Sequence, residues 1–235
     1  MPKYAKAIAT PNIAVIKYWG KRNEKLMLPT NSSLSFTMDE TLKTQTEIQF
    51  DTSFKEDSLI LDGTHLVGKE FVGVAKVLDY VREKYGATPK AKIISKNFFP
   101  TAAGLASSAS GYAALAVAIN AALSLKLDGS ELSILARLGS GSASRSVYGG
   151  FVEWQKGSKA DGSDSIAVQI ADENHWPQIR NVIAIVDSEK KKVSSRGGMA
   201  QTVATSKLFK ERMEFMDGRV EKMKEHVLKR DFESF

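Results

Sequence analysis

The run Pro100-Thr-Ala-Ala-Gly-Leu-Ala-Ser-Ser-Ala-Ser110 constrains this chain more than any other stretch. Its small side chains lead directly into an apolar helical segment, Gly111-Tyr-Ala-Ala-Leu-Ala-Val-Ala-Ile-Asn120. Small residues let backbone approach another surface closely, while the apolar run has to be buried. The first N–H groups of a helix have no internal partner, and the helix dipole puts partial positive charge at that end. Ser107 and Ser108 stand where the helix should begin, so the segment offers amides and hydroxyls to an anion, most commonly a phosphate. The same letters read equally as a serine N-cap on an Ala-rich core helix. The run also lacks the Gly-Lys-Ser/Thr ending of a Walker loop.

Composition removes several alternatives. With no cysteine, disulfides, thiolate catalysis and cysteine-ligated metals are excluded. His65, His175 and His226 have no metal-site neighbour at i+4, which argues against a histidine zinc site. The net charge of +6 suits an acidic partner without identifying one. Much of the lysine lies near glutamate on expected helices, as in Glu221-Lys-Met-Lys-Glu225, the pattern of a solvated face. Lys190-Lys-Lys192 reads as a surface turn, with phosphate or nucleic-acid contact as the second reading. The most apolar run, near 111–125, is too short for a membrane span and carries Asn120 and Ser124. The N-terminus lacks a signal-peptide pattern. A cytoplasmic protein without membrane or nucleic-acid partners is therefore expected.

Along the chain, residues 4–10 and 12–18 read as extended, interrupted at Thr10-Pro11. Leu34–Met38 and Thr44–Phe50 alternate as strands. Leu59-Ile-Leu-Asp-Gly-Thr-His-Leu66 predicts a hairpin turning at Asp62-Gly63. Apolar spacing predicts a helix over 69–84, and a strand follows at Ala91–Ser95. A second helix after the apolar one is expected near 130–138, then strands at Phe151–Trp154 and Ile166–Ile170. Val182-Ile-Ala-Ile-Val186 reads as a buried strand. Residues 200–229 predict two helices separated near Asp217-Gly218. Strands clustered early favour an α+β class, with a domain boundary near the connector at 172–180.

Three further segments are rich in polar groups that fit no periodic core face. Ile16-Lys-Tyr-Trp-Gly-Lys-Arg22 supplies cations at Lys17, Lys21 and Arg22 and a hydroxyl at Tyr18. Lysine is a point charge suited to phosphate, and arginine grips two oxygens at once. A strand end with solvated lysines is the plainer reading. Gly139-Ser-Gly-Ser-Ala-Ser-Arg-Ser-Val-Tyr-Gly-Gly150 offers hydroxyls, free N–H groups and a guanidinium to an oxyanion. A flexible linker is its alternative, against which Arg145 and the nearby aromatics argue for a packed loop. Val193-Ser-Ser-Arg-Gly-Gly-Met199 either caps the following helix or brings Ser194, Ser195 and Arg196 to the same anion.

Taken in order, these segments identify a resemblance. Pro100 to Ser110 resembles the phosphate loop of the GHMP kinase superfamily. Asn12 to Arg22, Leu28-Pro-Thr-Asn-Ser-Ser-Leu34, Gly139 to Ser146 and Val193 to Phe209 are similar to the mevalonate diphosphate decarboxylase family within it, and the likeness runs across essentially the whole chain. Ala102 and Ala103, where many superfamily kinases carry glycine, suit this decarboxylase branch. The resemblance implies an α+β, two-domain GHMP kinase fold, with an N-terminal ATP- and substrate-binding domain at 1–172 complete and the C-terminal domain at 173–235 truncated. It implies ATP-dependent decarboxylation of mevalonate 5-diphosphate to isopentenyl diphosphate, with Mg2+ as cofactor and a homodimer as the assembly. A relative acting on mevalonate or its monophosphate is the nearest alternative, and a non-catalytic anion-binding module is the alternative of another class.

By that likeness Lys17 and Arg145 carry the chemistry, while the family's catalytic aspartate lies in a C-terminal segment that this sequence does not contain. Tyr18, Trp19, Gly20, Lys21, Ser140, Gly141, Ser142, Ala143, Ser144, Arg145, Ser195 and Arg196 are implied to bind substrate. Pro100, Ala103, Gly104, Leu105, Ala106, Ser107 and Ser108 are implied to bind ATP, with Ser108 on the metal.

Overall fold

Side-chain alternation builds the first sheet. In the computed structural model, which describes residues 3–99, 107–184 and 195–235, the strands in chain order begin with β1 (Lys3–Ala9), β2 (Asn12–Ile16), β3 (Lys21–Asn23), β4 (Leu28–Pro29) and β5 (Ser33–Thr37). They continue with β6 (Thr44–Asp51), β7 (Ser58–Leu61), β8 (Thr64–Leu66), β9 (Lys90–Asn97), β10 (Phe151–Trp154) and β11 (Ala167–Ala171). β6 buries Thr44, Thr46, Ile48 and Phe50 and half-exposes the residues between them. It lies between β1 and β9 in a five-stranded sheet of order β1-β6-β9-β7-β8. All of its pairings are antiparallel except β7 on β9. The β7–β8 hairpin turns at Asp62 and Gly63, with φ of 50° and 83°, the paired positive values of a tight hairpin turn.

One face of this sheet is covered by α1 (Val72–Tyr85) and α2 (Ser107–Leu123). Val74, Val77, Leu78 and Val81 of α1 and Leu115 and Ile119 of α2 share a core with Ile48, Phe50 and Ile93. The alanines at 113, 114, 116 and 118 of α2 are buried, and their size brings the helix close to the sheet. α3 (Gly129–Gly139) starts on a capping box: Asp128 accepts from the Glu131 amide at 2.8 Å, and the Asp128 amide donates back to Glu131 at 3.2 Å.

The second sheet has order β11-β10-β5-β2, and a short pair β3-β4 stands apart. α4 (Ser195–Thr205) and α5 (Lys207–Lys229) complete the described elements. Met216, Val220 and Val227 of α5 pack with Ile16, Leu34, Phe151 and Trp176 in a second core. Lys224 of α5 pairs with the buried Glu153 of β10 at 3.1 Å.

Two sequence expectations are corrected. α5 runs unbroken through Asp217 and Gly218, and the helices separate instead at Ser206. Gly218 is exposed with open space where a Cβ would stand, so it costs only propensity, while Met216 and Val220 anchor the helix on either side of it. Val182–Ala184 form no strand, and Val182 is 93% exposed. These residues join neither sheet, and an apolar run without a hydrogen-bonding edge cannot be a buried strand. Ile185, Val186 and the basic run at Lys190–Lys192 lie outside the described residues, as do Val193 and Ser194. The glycine–serine segment after α3 is a 3-10 helix, Gly141–Val147, with a buried Arg145, and so a packed element rather than a linker.

Candidate functional site

The 3-10 segment Gly141–Val147 places a guanidinium in the interior. Arg145 is 2% exposed. It donates from Nε to Ser35 Oγ at 2.9 Å, from one terminal nitrogen to Ser33 Oγ, and from the other to Asn12 Oδ1 at 3.2 Å. Among the described residues no carboxylate pairs with it, so neutral groups alone compensate this buried cation. Burial pushes its pKa down to about 10, against a small opposing effect of Tyr18. An arginine remains charged at neutral pH, so an anion, not proton loss, would relieve this strain. Asn12 uses both ends of its amide: Nδ2 donates to Ser142 O at 3.0 Å and Ser146 Oγ at 2.8 Å while Oδ1 accepts from Arg145.

The stretch after β2 lies against this segment. The Tyr18 ring meets Trp154 edge-on with centroids 4.9 Å apart. Both rings close on Gly141, where an added Cβ would stand 2.9 Å from each. Lys17 has its pKa lowered, first by desolvation and then by the charge of Arg145. Two cations close enough to feel each other's charge form an arrangement that could hold an anion. The backbone around them is tied down. Lys17 O accepts from Asn31 Nδ2 at 3.1 Å and from Arg212 at 2.8 Å. Trp19 O accepts from Thr30 Oγ1, and Gly20 O from the Thr30 amide, both at 3.1 Å. Gly20 has φ +103°, and a Cβ there would meet Phe209 and Thr30 at 2.8 Å, so only glycine fits beneath α5. Lys21 is turned away into an ion pair with Glu24 at 2.5 Å.

The start of α2 meets the same segment through hydroxyls. Ser108 Oγ lies 3.2 Å from Ser140 Oγ, which lies 3.3 Å from Ser142 Oγ. The helix N-terminus, the serine row and Arg145 are thus contiguous, with Ala143 and Ser144 fully buried as their support. Ser107 and Ser108 also edge an apolar slot of about 200 Å³, lined by Leu59, Leu61, Leu66, Tyr112 and Leu115, with Glu70, Ser95 and Asn97 as polar members. Its apolar lining could take a ring whose phosphate lies at the helix start. The donor set for Mg2+ fits a cation carried in on phosphates, since hydroxyls such as Ser108 add oxygen ligands and no acidic cluster is present among the described residues.

Other expected site residues fall elsewhere. Pro100, Ala103, Gly104, Leu105 and Ala106 lie outside the described residues. Ser195 opens α4 at the surface, and Arg196 follows in its first turn. A larger cleft of about 780 Å³, lined by Phe36, Met38, Tyr148, Trp176 and Arg180 among others, contains none of the expected site residues. Sequence reasoning missed Asn12, Asn31, Ser33 and Ser35 as individual contributors. The first three sit within segments that carry the resemblance, and Ser35 stands one residue past the second of these. Arg212 gave no signal, since it reads as one more cation on a charged helix.

A family model described as "Diphosphomevalonate decarboxylase-like N-terminal domain" matches residues 9–167, and one described as "Mevalonate 5-diphosphate decarboxylase C-terminal domain" matches 181–235. The diphosphomevalonate decarboxylase of Saccharomyces cerevisiae is 45% identical over 249 residues, covering 100% of this chain and 63% of that protein. That of Homo sapiens is 45% identical over 246 residues, covering 97% and 60% respectively. The chain thus spans about three fifths of the length of these curated relatives. Among solved structures, mevalonate diphosphate decarboxylase from Staphylococcus aureus superposes with a TM-score of 0.90 at 41% identity, covering 100% of this chain and 70% of that one. A structure described as MDDEF in complex with MVAPP, AMPPCP and magnesium gives 0.88 at 43% identity, covering 100% and 71%. Among the described residues, no helix is long and apolar enough to cross a membrane.

Proposed function

This chain belongs to the diphosphomevalonate decarboxylase family, and from that premise we propose that it serves the ATP-dependent conversion of mevalonate 5-diphosphate to isopentenyl diphosphate, ADP, phosphate and CO2. The observation that carries the reading is Arg145, a buried cation compensated among the described residues by neutral groups, beside Lys17 and joined through serines to the start of α2. The tertiary 3-hydroxyl oxygen takes the γ-phosphoryl group of ATP, ADP leaves, and the hydroxyl proton passes to solvent. The C–O bond to the new phosphate then breaks with its electron pair, and the electrons of the C–CO2 bond form the alkene as CO2 departs. Positive charge grows on the reacting carbon, so the chain contributes positioning and charge neutralisation.

In this reading Arg145 and Lys17 orient the carboxylate and diphosphate, and Tyr18, Trp19, Gly20 and the Ser140–Ser144 row shape the pocket around them. Lys21 exchanges Glu24 for the diphosphate when substrate arrives. Ser195 and Arg196 add contacts from the start of α4. Ser107 and Ser108, with Pro100 and Ala103–Ala106, take the phosphates of ATP, and the slot edged by Leu59 and Leu66 takes its base. Mg2+, held at Ser108 and on the phosphates, would supply charge neutralisation between them. No residue of this sequence is assigned the aspartate's role. The division into 1–172 and 173–235, a homodimer and a cytoplasmic location belong to the same proposal.

Isothermal titration with mevalonate 5-diphosphate, the 5-phosphate and mevalonate tests it, alongside CO2 release with ATP and Mg2+. The diphosphate should bind at least about tenfold more tightly than the monophosphate, a gap of about 1.4 kcal/mol. Arg145→Gln should erase that preference. Equal affinity for all three ligands, or stronger thermal stabilisation by an oligonucleotide than by ATP, overturns the reading.

A further inference from the structure

Arg212 is remote in sequence from Lys17 and Asn31, yet it is bonded directly to both. From the first half of α5 it sends one terminal nitrogen 2.8 Å to Lys17 O and the other 3.2 Å to Asn31 Oδ1. Asn31 is fully buried and returns its own Nδ2 to Lys17 O at 3.1 Å. The two donors converge on one carbonyl while Arg212 also locks the amide that supplies the second. The same helix pair lies across the turn that follows: Phe209 and Val203 face Gly20 so closely that a Cβ there would approach them to 2.8 and 3.2 Å. Arg212 makes no ion pair among the described residues, and burial followed by the charge of Arg219 lowers its pKa. A half-buried guanidinium whose oxygen acceptors are a backbone carbonyl and an amide is organising a loop rather than balancing a charge.

We propose that Arg212 is a positioning residue for Lys17: its fork on Lys17 O and Asn31 holds the backbone so that the Lys17 ammonium faces Arg145. This rests on the reading of Lys17 as a substrate cation only for its consequence in binding, not for the geometry itself. Lys17 is the one member of the cation pair on an irregular stretch, whereas Arg145 is fixed by β5 and Asn12. Arg145 from the 3-10 segment and Arg212 from α5 are charged groups that act on this stretch. The Arg212 fork therefore sets how closely two like charges are brought together before an anion arrives.

NMR of the unliganded chain separates the geometric claim from the functional one. The full chain is 13C-methylated on its lysines, the Lys17 signal is assigned by its loss in Lys17→Arg, and its titration midpoint is read without ligand. Arg212→Lys keeps the charge but loses the fork, and Arg212→Gln loses both. Both should raise the Lys17 midpoint towards that of an ordinary lysine, Arg212→Gln more than Arg212→Lys. Lys224→Gln, which loosens α5 on β10 without touching Lys17, should leave it in place. An unmoved midpoint in Arg212→Lys, or an equal shift in Lys224→Gln, overturns the proposal. Titration with mevalonate 5-diphosphate supplies the second readout. Affinity should fall about tenfold in Arg212→Gln and about threefold in Arg212→Lys. If the midpoint moves as expected and affinity does not, the positioning role stands and the substrate role of Lys17 fails.

Discussion

Arg145 and Gly141 show how much the site depends on single residues. In the proposed reading, an anion beside Arg145 and Lys17 stabilises their charged forms, so a bound diphosphate would raise the lowered Lys17 value. The sign follows: affinity is full below the unliganded Lys17 value and declines as pH climbs from there towards the liganded one. Calorimetric titration of mevalonate 5-diphosphate from neutral pH up to the ordinary lysine value should show a flat region and then weakening, and affinity that rises with pH would contradict the cation pair. Gly141→Ala makes a steric prediction. The new methyl would press on Trp154 and Tyr18, both 2.9 Å away, and should cost about 1–3 kcal/mol in urea unfolding while weakening ligand binding. The letters around Arg145 are legible as a packed loop because an arginine with aromatics close behind it does not suit a linker. The partners that make the arginine's burial possible are not, because Ser33, Ser35 and Asn12 lie 110 to 133 positions away and only the fold brings them close.

Elements that alternate or repeat cleanly can be read from the letters. β6, β9, α1 and the Asp62-Gly63 hairpin follow from periodicity and turn chemistry, because one buried face and one local turn decide them. Glycine misleads in α5, since propensity is a weak local term and apolar anchors at Met216 and Val220 override it. Gly218→Ala therefore fills open space in an exposed helical position and should raise unfolding free energy by about 1 kcal/mol. A loss of stability would mean that the helix breaks there after all. Val182–Ala184 mislead in the opposite direction. Hydrophobic letters state a preference for burial, but whether a sheet edge is available to satisfy it is not written in them.

At the scale of the molecule, α5 joins what the sequence separates. Lys224 on Glu153, Lys156 on Asp217 and Arg212 on Lys17 O fasten it to β10, the segment that follows β10, and the stretch after β2. Burial alone would lower the Lys224 pKa, but hydrogen bonds and charge from Glu153 and Glu221 raise it on balance. A raised folded value means that this stabilisation is fully present below the ordinary lysine value and disappears as pH rises through the folded one. Lys224→Gln leaves Glu153 buried and unpaired, and should cost about 3 kcal/mol at neutral pH by chemical denaturation. The edge contact between Tyr18 and Trp154 gives the molecule an optical consequence as well. An indole sealed from water emits at shorter wavelength than an exposed one, and its brightness depends on the ring leaning against it. Any guest that makes Tyr18 change its stance will therefore alter Trp154 emission, and the fold carries a built-in lamp for watching its own pocket fill.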